Sequence, residues 1–446
     1  MDRPSFVSPL RLRGGRSRAS VLGCSLREWA QLMTRDTAST SLVTTIFALT
    51  YLGLAIGKVP GLRIDRAGIA LVGAAAMMVF GVLNMHDAAR AVDYSTLVLL
   101  FGMMVVVAYL RLSGFFELLT ERMIARNPRP HSLLASLILL SGICSAFLVN
   151  DVVCVALTPL VLQLCRRLRR PPVPYLIGVA TASNIGSVAT LTGNPQNMII
   201  GSLSSISYFR FAAHLAPVAG FGLLVCYLTI RVVYRGTLKV EDEHPVPVSV
   251  NSRSRIHHGL LTKSVLTTVA AVVLFFAGQP ISLVALVAAG FLLLDRVRPD
   301  KVYRQVDWPL LVMFSGLFVV VHGFEMHVAR TWHFEKAFDT GSSPVVAVSS
   351  LSLLLSNLVS NVPAVLLFKP IMEVTPQKEL AWLALAMSST LAGNLTILGS
   401  VANLIVVENA RRAQVEIRFT EFLRVGIPLT LLTTLIGVLW LEFAHY

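Results

Sequence analysis

Ten stretches of this chain, at 39–57, 67–84, 94–112, 175–205, 214–234, 262–277, 281–294, 308–322, 380–408 and 425–443, are rich in aliphatic residues and nearly free of charge. A helix needs about 20 such residues to cross the hydrocarbon core of a bilayer. Lipid admits only helices and closed barrels, because every backbone polar group there must find its partner within the protein. With only 14% of its residues charged, the chain reads as an all-α polytopic membrane protein. Two further apolar stretches, 132–165 and 343–372, are broken near their middles by polar residues.

The formal charge of +14 does not point to nucleic acid, because the basic residues are spread over loops and no base-reading motif is present. They follow topology instead. Lys58 to Arg66, Arg111 to Arg129, Arg166 to Arg170, Arg231 to Lys263, Arg296 to Arg304 and Arg411 to Arg424 fall on alternate loops and mark the cytoplasmic side. The other side carries only Arg90, Arg210, Arg330, Lys336, Lys369 and Lys378. The Arg-rich tail 1–38 lacks the apolar core of a secretory signal. Three readings of it stay open: a disordered extension, an eleventh crossing, or translation upstream of a start such as Met33. The five cysteines form no disulfide pattern, and those in apolar segments read as small buried hydrophobes.

Three blocks recur in the same order. Val92-Asp93-Tyr94 leading to Phe101-Gly102 reads against Val306-Asp307-Trp308 leading to Phe314-Ser315-Gly316. Leu148-Val149-Asn150-Asp151-Val152 answers Leu358-Val359-Ser360-Asn361-Val362, and Thr190 to Asn197 answers Thr396 to Asn403. Composition alone does not place Gly and Asn at matched offsets, so the chain reads as a first membrane repeat over 39–235 and a second over 262–446, joined by a polar cytoplasmic linker at 236–261. Each repeat has about five spans, an odd number, so the second enters the membrane from the opposite side.

The interrupted stretches read as re-entrant hairpins, 132–165 entering from the cytoplasm and 343–372 from outside. Non-helical backbone at membrane depth survives only where protein buries it or a wet cavity receives it, which makes the tips Asn150, Asp151, Ser360 and Asn361 site candidates. The crossing after each hairpin is broken too, by Gly193 and Pro195 in one half and Gly399 in the other. Unwound carbonyls suit a cation, and half-helix N-termini suit an anion. Ser183, Asn184, Ser389 and Asn394 read equally as interhelical glue. Asp151 is the only acid expected near the midplane in either hairpin, at an insertion cost of about 2.5–3.5 kcal/mol, so it should have a partner. The segment 114–126 reads as an interfacial helix.

Gly114-Phe115-Phe116-Glu117, Asn150-Asp151 followed by Thr158-Pro159, Ala182 to Gly186 running into Ala189 to Asn197, and Ser360 to Pro363 together resemble the ion transporter superfamily. The nearest branches are the citrate transporter-like and arsenical pump (ArsB) permeases and their YbiR-type relatives. The resemblance covers about residues 40–445. It implies an elevator-type secondary transporter with no cofactor beyond sodium or a proton as coupling ion. Cation sites are implied at Asn150 and Asp151 with Thr190, Thr192, Gly193 and Asn194, and at Ser360 and Asn361 with Thr396, Gly399 and Ser400. Substrate would lie between, reached by Asn184, Pro195 and Asn197 from one half and Asn357, Asn394 and Asn403 from the other. No Arg or Lys is expected inside this site. The implied cargo is a small anion or oxyanion, with arsenite efflux and sodium/proton exchange as alternatives. The implied setting is a cell membrane, such as a bacterial inner membrane, with the lipid bilayer as partner and no nucleic acid; a homodimer and a separate ATPase partner stay open.

A channel also uses interrupted helices but needs no inverted hairpins. An intramembrane enzyme needs a nucleophile and base on facing spans, yet most of the histidines sit at loop edges. A primary pump needs a phosphate-binding loop, and no such motif occurs.

Overall fold

The computed structural model describes residues 26–56, 64–125, 129–238, 257–328, 343–375 and 377–443, and among them every regular element is helical. The first half contains α1 (Leu26–Ile56), α2 (Arg66–Val79), α3 (Met85–Ala91), α4 (Tyr94–Ser113), α5 (Phe115–Ala125), α6 (Pro130–Phe147), α7 (Asn150–Arg167), α8 (Val173–Ser187), α9 (Pro195–Ser204) and α10 (Tyr208–Val233). The second contains α11 (His258–Phe276), α12 (Ile281–Leu293), α13 (Pro299–Tyr303), α14 (Trp308–His327), α15 (Pro344–Val359), α16 (Asn361–Val374), α17 (Lys378–Ala392), α18 (Val401–Arg412) and α19 (Phe419–Phe443).

Helices α4, α6, α10, α11, α14 and α19 are each long and apolar enough to cross a membrane, and shorter apolar runs fill α1, α2, α12, α15 and α16. The stretch 132–165 is α6 and α7 meeting at Leu148-Val149, and 343–372 is α15 and α16 meeting at Ser360. Likewise 175–205 is split into α8 and α9, and 380–408 into α17 and α18. The expected interfacial segment is α5, which buries Phe116 completely. Helix α1 begins at Leu26, so the helical backbone starts within the segment read as a tail. Most of that tail, residues 1–25, and most of the linker, 239–256, lie outside the described residues.

One placement differs from the sequence reading. Lys369, expected in an outer loop, lies inside α16, where it donates to Glu325 of α14 at 2.7 Å. The aliphatic run Ala364 to Phe368 carries the helix past it, and the carboxylate supplies the partner that a cation within an apolar helix needs.

The helices pack as two groups. In one, α2 lies along α14 and α4 along α12, with α1 and α11 flanking them. The matched glycines of the first repeated block make both crossings possible. A Cβ on Gly102 would sit 2.7 Å from the backbone carbonyl of Ala285, and one on Gly316 would sit 2.7 Å from that of Ala70. Only glycine permits such an approach of two backbones. In the other group α6 packs on α8 and α15 on α17, while α10 and α19 lie against each other. There α8 and α17 are buried on every side, whereas α10 and α19 expose Phe221, Leu224, Leu431 and Leu439 as lipid-facing surface. The seam between the groups is thin, formed where α14 meets α16, α4 meets α7 and α9, and α1 meets α15.

Candidate functional site

The two broken helices face each other across the centre of the second group. Where α8 and α17 stop, their last carbonyls lose their intrahelical partners. The matched asparagines supply replacements: Asn197 Nδ2 donates to the Ser187 and Thr190 carbonyls, both at 3.0 Å, and Asn403 Nδ2 donates to those of Gly393 (2.7 Å) and Thr396 (3.0 Å). Each restart is capped by the residue at its own boundary. Asn194 Oδ1 accepts from the Asn197 amide at 2.8 Å, and Ser400 Oγ accepts from the Ala402 amide at 3.2 Å.

Asn184 knits the halves together. Its Oδ1 accepts from Asn150 Nδ2 (3.1 Å) and Ser400 Oγ (3.0 Å), and its Nδ2 donates to Asn394 Oδ1 (2.9 Å) and Asn403 Oδ1 (3.1 Å). A second link runs through Thr390 Oγ1, which accepts from Asn194 Nδ2 at 3.1 Å and Gln196 Nε2 at 3.2 Å. With its whole hydrogen-bonding capacity used, Asn184 makes a stiff frame rather than a loose pore lining.

The hairpin tips dock onto this frame. The Asn150 amide donates to the Gly193 carbonyl at 3.0 Å, and Gly193 has no room for a side chain, because a Cβ there would meet the Ser187 carbonyl oxygen at 2.3 Å. The opposite tip reaches the matching loop: Asn361, oriented so that its oxygen accepts from Gln196 Nε2 (3.2 Å), donates to the Ser389 and Gly399 carbonyls at 3.1 and 3.3 Å. Ser360 precedes it with φ 76° and ψ 160°, a conformation nearly confined to glycine. Strain of this kind persists only where the surroundings over-determine the backbone.

Between the tips and the seam lies a cavity of about 470 Å³. Its walls include Asn150, Asp151, Pro195, Ser360, Asn361 and Ser400 of the sequence-derived set, together with Gln196. Asn150 contributes a buried Oδ1 with no hydrogen-bond partner. The remaining candidates lie behind these walls. Asn184, Asn194, Asn197, Asn394 and Asn403 form the frame, and Thr190 and Thr192 bond the Ala146 carbonyl and the Tyr208 hydroxyl. Asn357 is tied to the Leu353 and Ala392 carbonyls, and Thr396 caps the short 3-10 turn Ile397–Gly399.

Three charged side chains on the opposite wall escaped the sequence reading. Asp65 and Asp307 cap α2 and α14 through the Gly68 and Leu310 amides, and Arg66 opens α2. The expectation of a site without Arg or Lys is therefore corrected. Arg66 is a topological charge in sequence, and only the packing of α2 against α14 turns it onto the cavity. No ion pair to Arg66, and none to Asp151, occurs among the described residues. The cap signal, an Asp just before an apolar run, was legible at both acids.

Residues 51–392 match the family described as citrate transporter. The silicon efflux transporter LSI3 of Oryza sativa subsp. japonica is 31% identical over 85% of this chain and 93% of its own length. The inner membrane protein YbiR of Escherichia coli K12 is 31% identical over 78% of this chain and 87% of its own length. Among solved structures, the Alcanivorax borkumensis YdaH transporter superposes with a TM-score of 0.58 at 16% identity, covering 91% of this chain and 99% of that one, a likeness of fold.

Proposed function

The chain belongs to the citrate transporter family and is a membrane transporter, and we infer from its central cavity that it is a secondary active transporter of a small anion or oxyanion, coupled to sodium or protons. The observation that carries this reading is the convergence of both hairpin tips and both helix restarts on one cavity. Restarting helices offer free N–H groups to an anion, and the tip Asn150 keeps an unsatisfied carbonyl oxygen for a cation. The cavity rim, Asp65, Arg66 and Asp307, lies on the face that the loop charges assign to the cytoplasm, so the state is open inward. The exchange of packing partners between halves supports an inverted repeat. The thin seam supports an elevator in which the hairpin-bearing group slides against the group built on α2, α4, α12 and α14.

The chemistry divides between the two groups. Asp151 rides with the hairpin and, with no ion-pair partner among the described residues, can take a proton or a cation. Arg66 belongs to the opposite wall and is the one cation among the described cavity residues. An anion entering with a coupling cation would balance Arg66 and Asp151 together.

A second reading has its own support. The cavity holds three carboxylates, Asp65, Asp151 and Asp307, against one guanidinium. That balance suits an uncharged oxyacid such as arsenite in its protonated form, and one relative is named as a silicon exporter. Flux in inside-out vesicles with citrate, succinate, sulfate, phosphate and arsenite, under imposed sodium or proton gradients, separates the two. Gradient-dependent flux of an anion supports the first reading, flux of arsenite alone supports the second, and flux of neither overturns both.

A further inference from the structure

The seam carries one charge pair far from the cavity rim. Lys369 of α16 donates to Glu325 Oε2 of α14 at 2.7 Å, and the two side chains are 30% and 15% exposed. His322, one turn before Glu325, stands 4.0 Å from the same oxygen, while Glu325 Oε1 is buried without a hydrogen-bond partner. A few residues nearer the tip, Tyr51 of α1 donates to the Pro363 carbonyl of α16 at 3.1 Å. Both bonds join the arm of the second hairpin to the other helix group, and the Glu325–Lys369 pair lies at the end of the seam that the loop charges place outside.

Register makes the device one-sided. By the offsets of the matched blocks, the counterparts of Glu325 and Lys369 are Arg111 and Pro159, which form no such pair. The cytoplasmic end of the seam holds the open cavity instead. We propose that Glu325 and Lys369 form an ion-pair latch that holds the second hairpin against α14 and keeps the outer end of the seam shut in the inward-open state. Sliding α16 past α14 separates two partly desolvated charges, and each then needs water or a new partner. The pair therefore biases the equilibrium toward the state in which it is closed. The latch rests on the two-group alternating-access reading, but it requires neither a particular substrate nor a coupling ion.

Its test reads conformation rather than flux. Leu404 lines the inward-open cavity, and the described native cysteines are buried. A Leu404→Cys protein in inside-out vesicles is labelled from the cytoplasmic face by a membrane-impermeant maleimide, with the unsubstituted protein as background. Glu325→Gln and Lys369→Met should each slow labelling, by up to about fivefold, the limit that a ~1 kcal/mol change in the two-state equilibrium sets. The exchanged pair Glu325→Lys with Lys369→Glu should restore the rate, and Glu325→Asp, with a shorter reach, should fall between. Unchanged or faster labelling in the single variants overturns the latch, as does an exchanged pair no faster than the singles. Because labelling is independent of cargo, vesicles that transport nothing on the panel but keep this pattern overturn the functional reading and leave the latch standing.

Discussion

Replacing Gly193 by Ala should abolish transport while the protein still inserts, and Gly399→Ala should do less. The repeat makes these glycines equivalent in sequence, yet their surroundings differ. A Cβ at Gly193 falls 2.3 Å from the Ser187 carbonyl oxygen and 2.7 Å from its Cα, about 1.1 Å short of ordinary contact. Both obstacles are backbone at the end of α8, so the loop itself must move. Its carbonyl receives the Asn150 amide at 3.0 Å, and a shift of that size breaks the bond. At Gly399 the nearest atom is a side-chain oxygen, Asn357 Oδ1 at 2.9 Å, and the nearest backbone atom is the Gly393 carbonyl oxygen at 3.1 Å, so a smaller shift relieves the contact. Overpacking of this kind costs about 1–3 kcal/mol, and an approximately 1 Å displacement of a positioning group can lower a rate on the order of 100-fold. Neither glycine has a positive φ, so the requirement is space and not conformation. The assay is initial flux in vesicles normalised to inserted protein, with thermal unfolding in detergent as the control for folding. A Gly193→Ala protein with wild-type flux, or a Gly399→Ala protein that is the more damaged of the two, refutes the reasoning.

Arg66→Gln should raise KM for an anionic cargo about 10-fold or more at the cytoplasmic face and leave flux of an uncharged oxyacid unchanged, since only the anion loses a charge-assisted contact; equal effects on both cargoes contradict an anion-binding role. Ser360→Gly should relieve backbone strain of about 1–3 kcal/mol, less the entropy that glycine adds, and so raise the thermal midpoint by about 1–2 °C. A lower midpoint in that variant, followed by differential scanning fluorimetry, contradicts the strained tip.

Much of this arrangement was legible because the membrane makes hydropathy a direct record of span position. The breaks at Asn150, Gly193, Ser360 and Gly399 stand out against apolar surroundings, and Gly102 and Gly316 mark the same crossing twice. Asn197 and Asn403 were visible as a repeated pair, although their task of satisfying helix-end carbonyls was not. What the sequence hid comes from contacts between elements far apart in the chain. Arg66 and Asp307 reach the cavity only because α2 packs on α14. Gln196, which bonds Thr390 and Asn361 of the other half, carries no local signal. Lys369 reads as a loop charge in sequence because the helix that carries it past the apolar run Ala364 to Phe368 is a tertiary outcome, and nothing local marks Glu325 as its partner.

The most direct test of the account is whether purified protein in sealed proteoliposomes concentrates its cargo against a gradient when sodium or protons are allowed to flow, in wild type and in Asp151→Asn. Asp151 lines the cavity on the hairpin side and has no ion-pair partner among the described residues. The account predicts uphill accumulation in the wild type that collapses when the ion gradient is dissipated. Asp151→Asn should remain folded but fail to accumulate cargo, allowing at most downhill exchange. Wild-type flux that only equilibrates the cargo whatever ion gradient is imposed, or an Asp151→Asn protein that still accumulates it with unchanged ion dependence, would contradict the account.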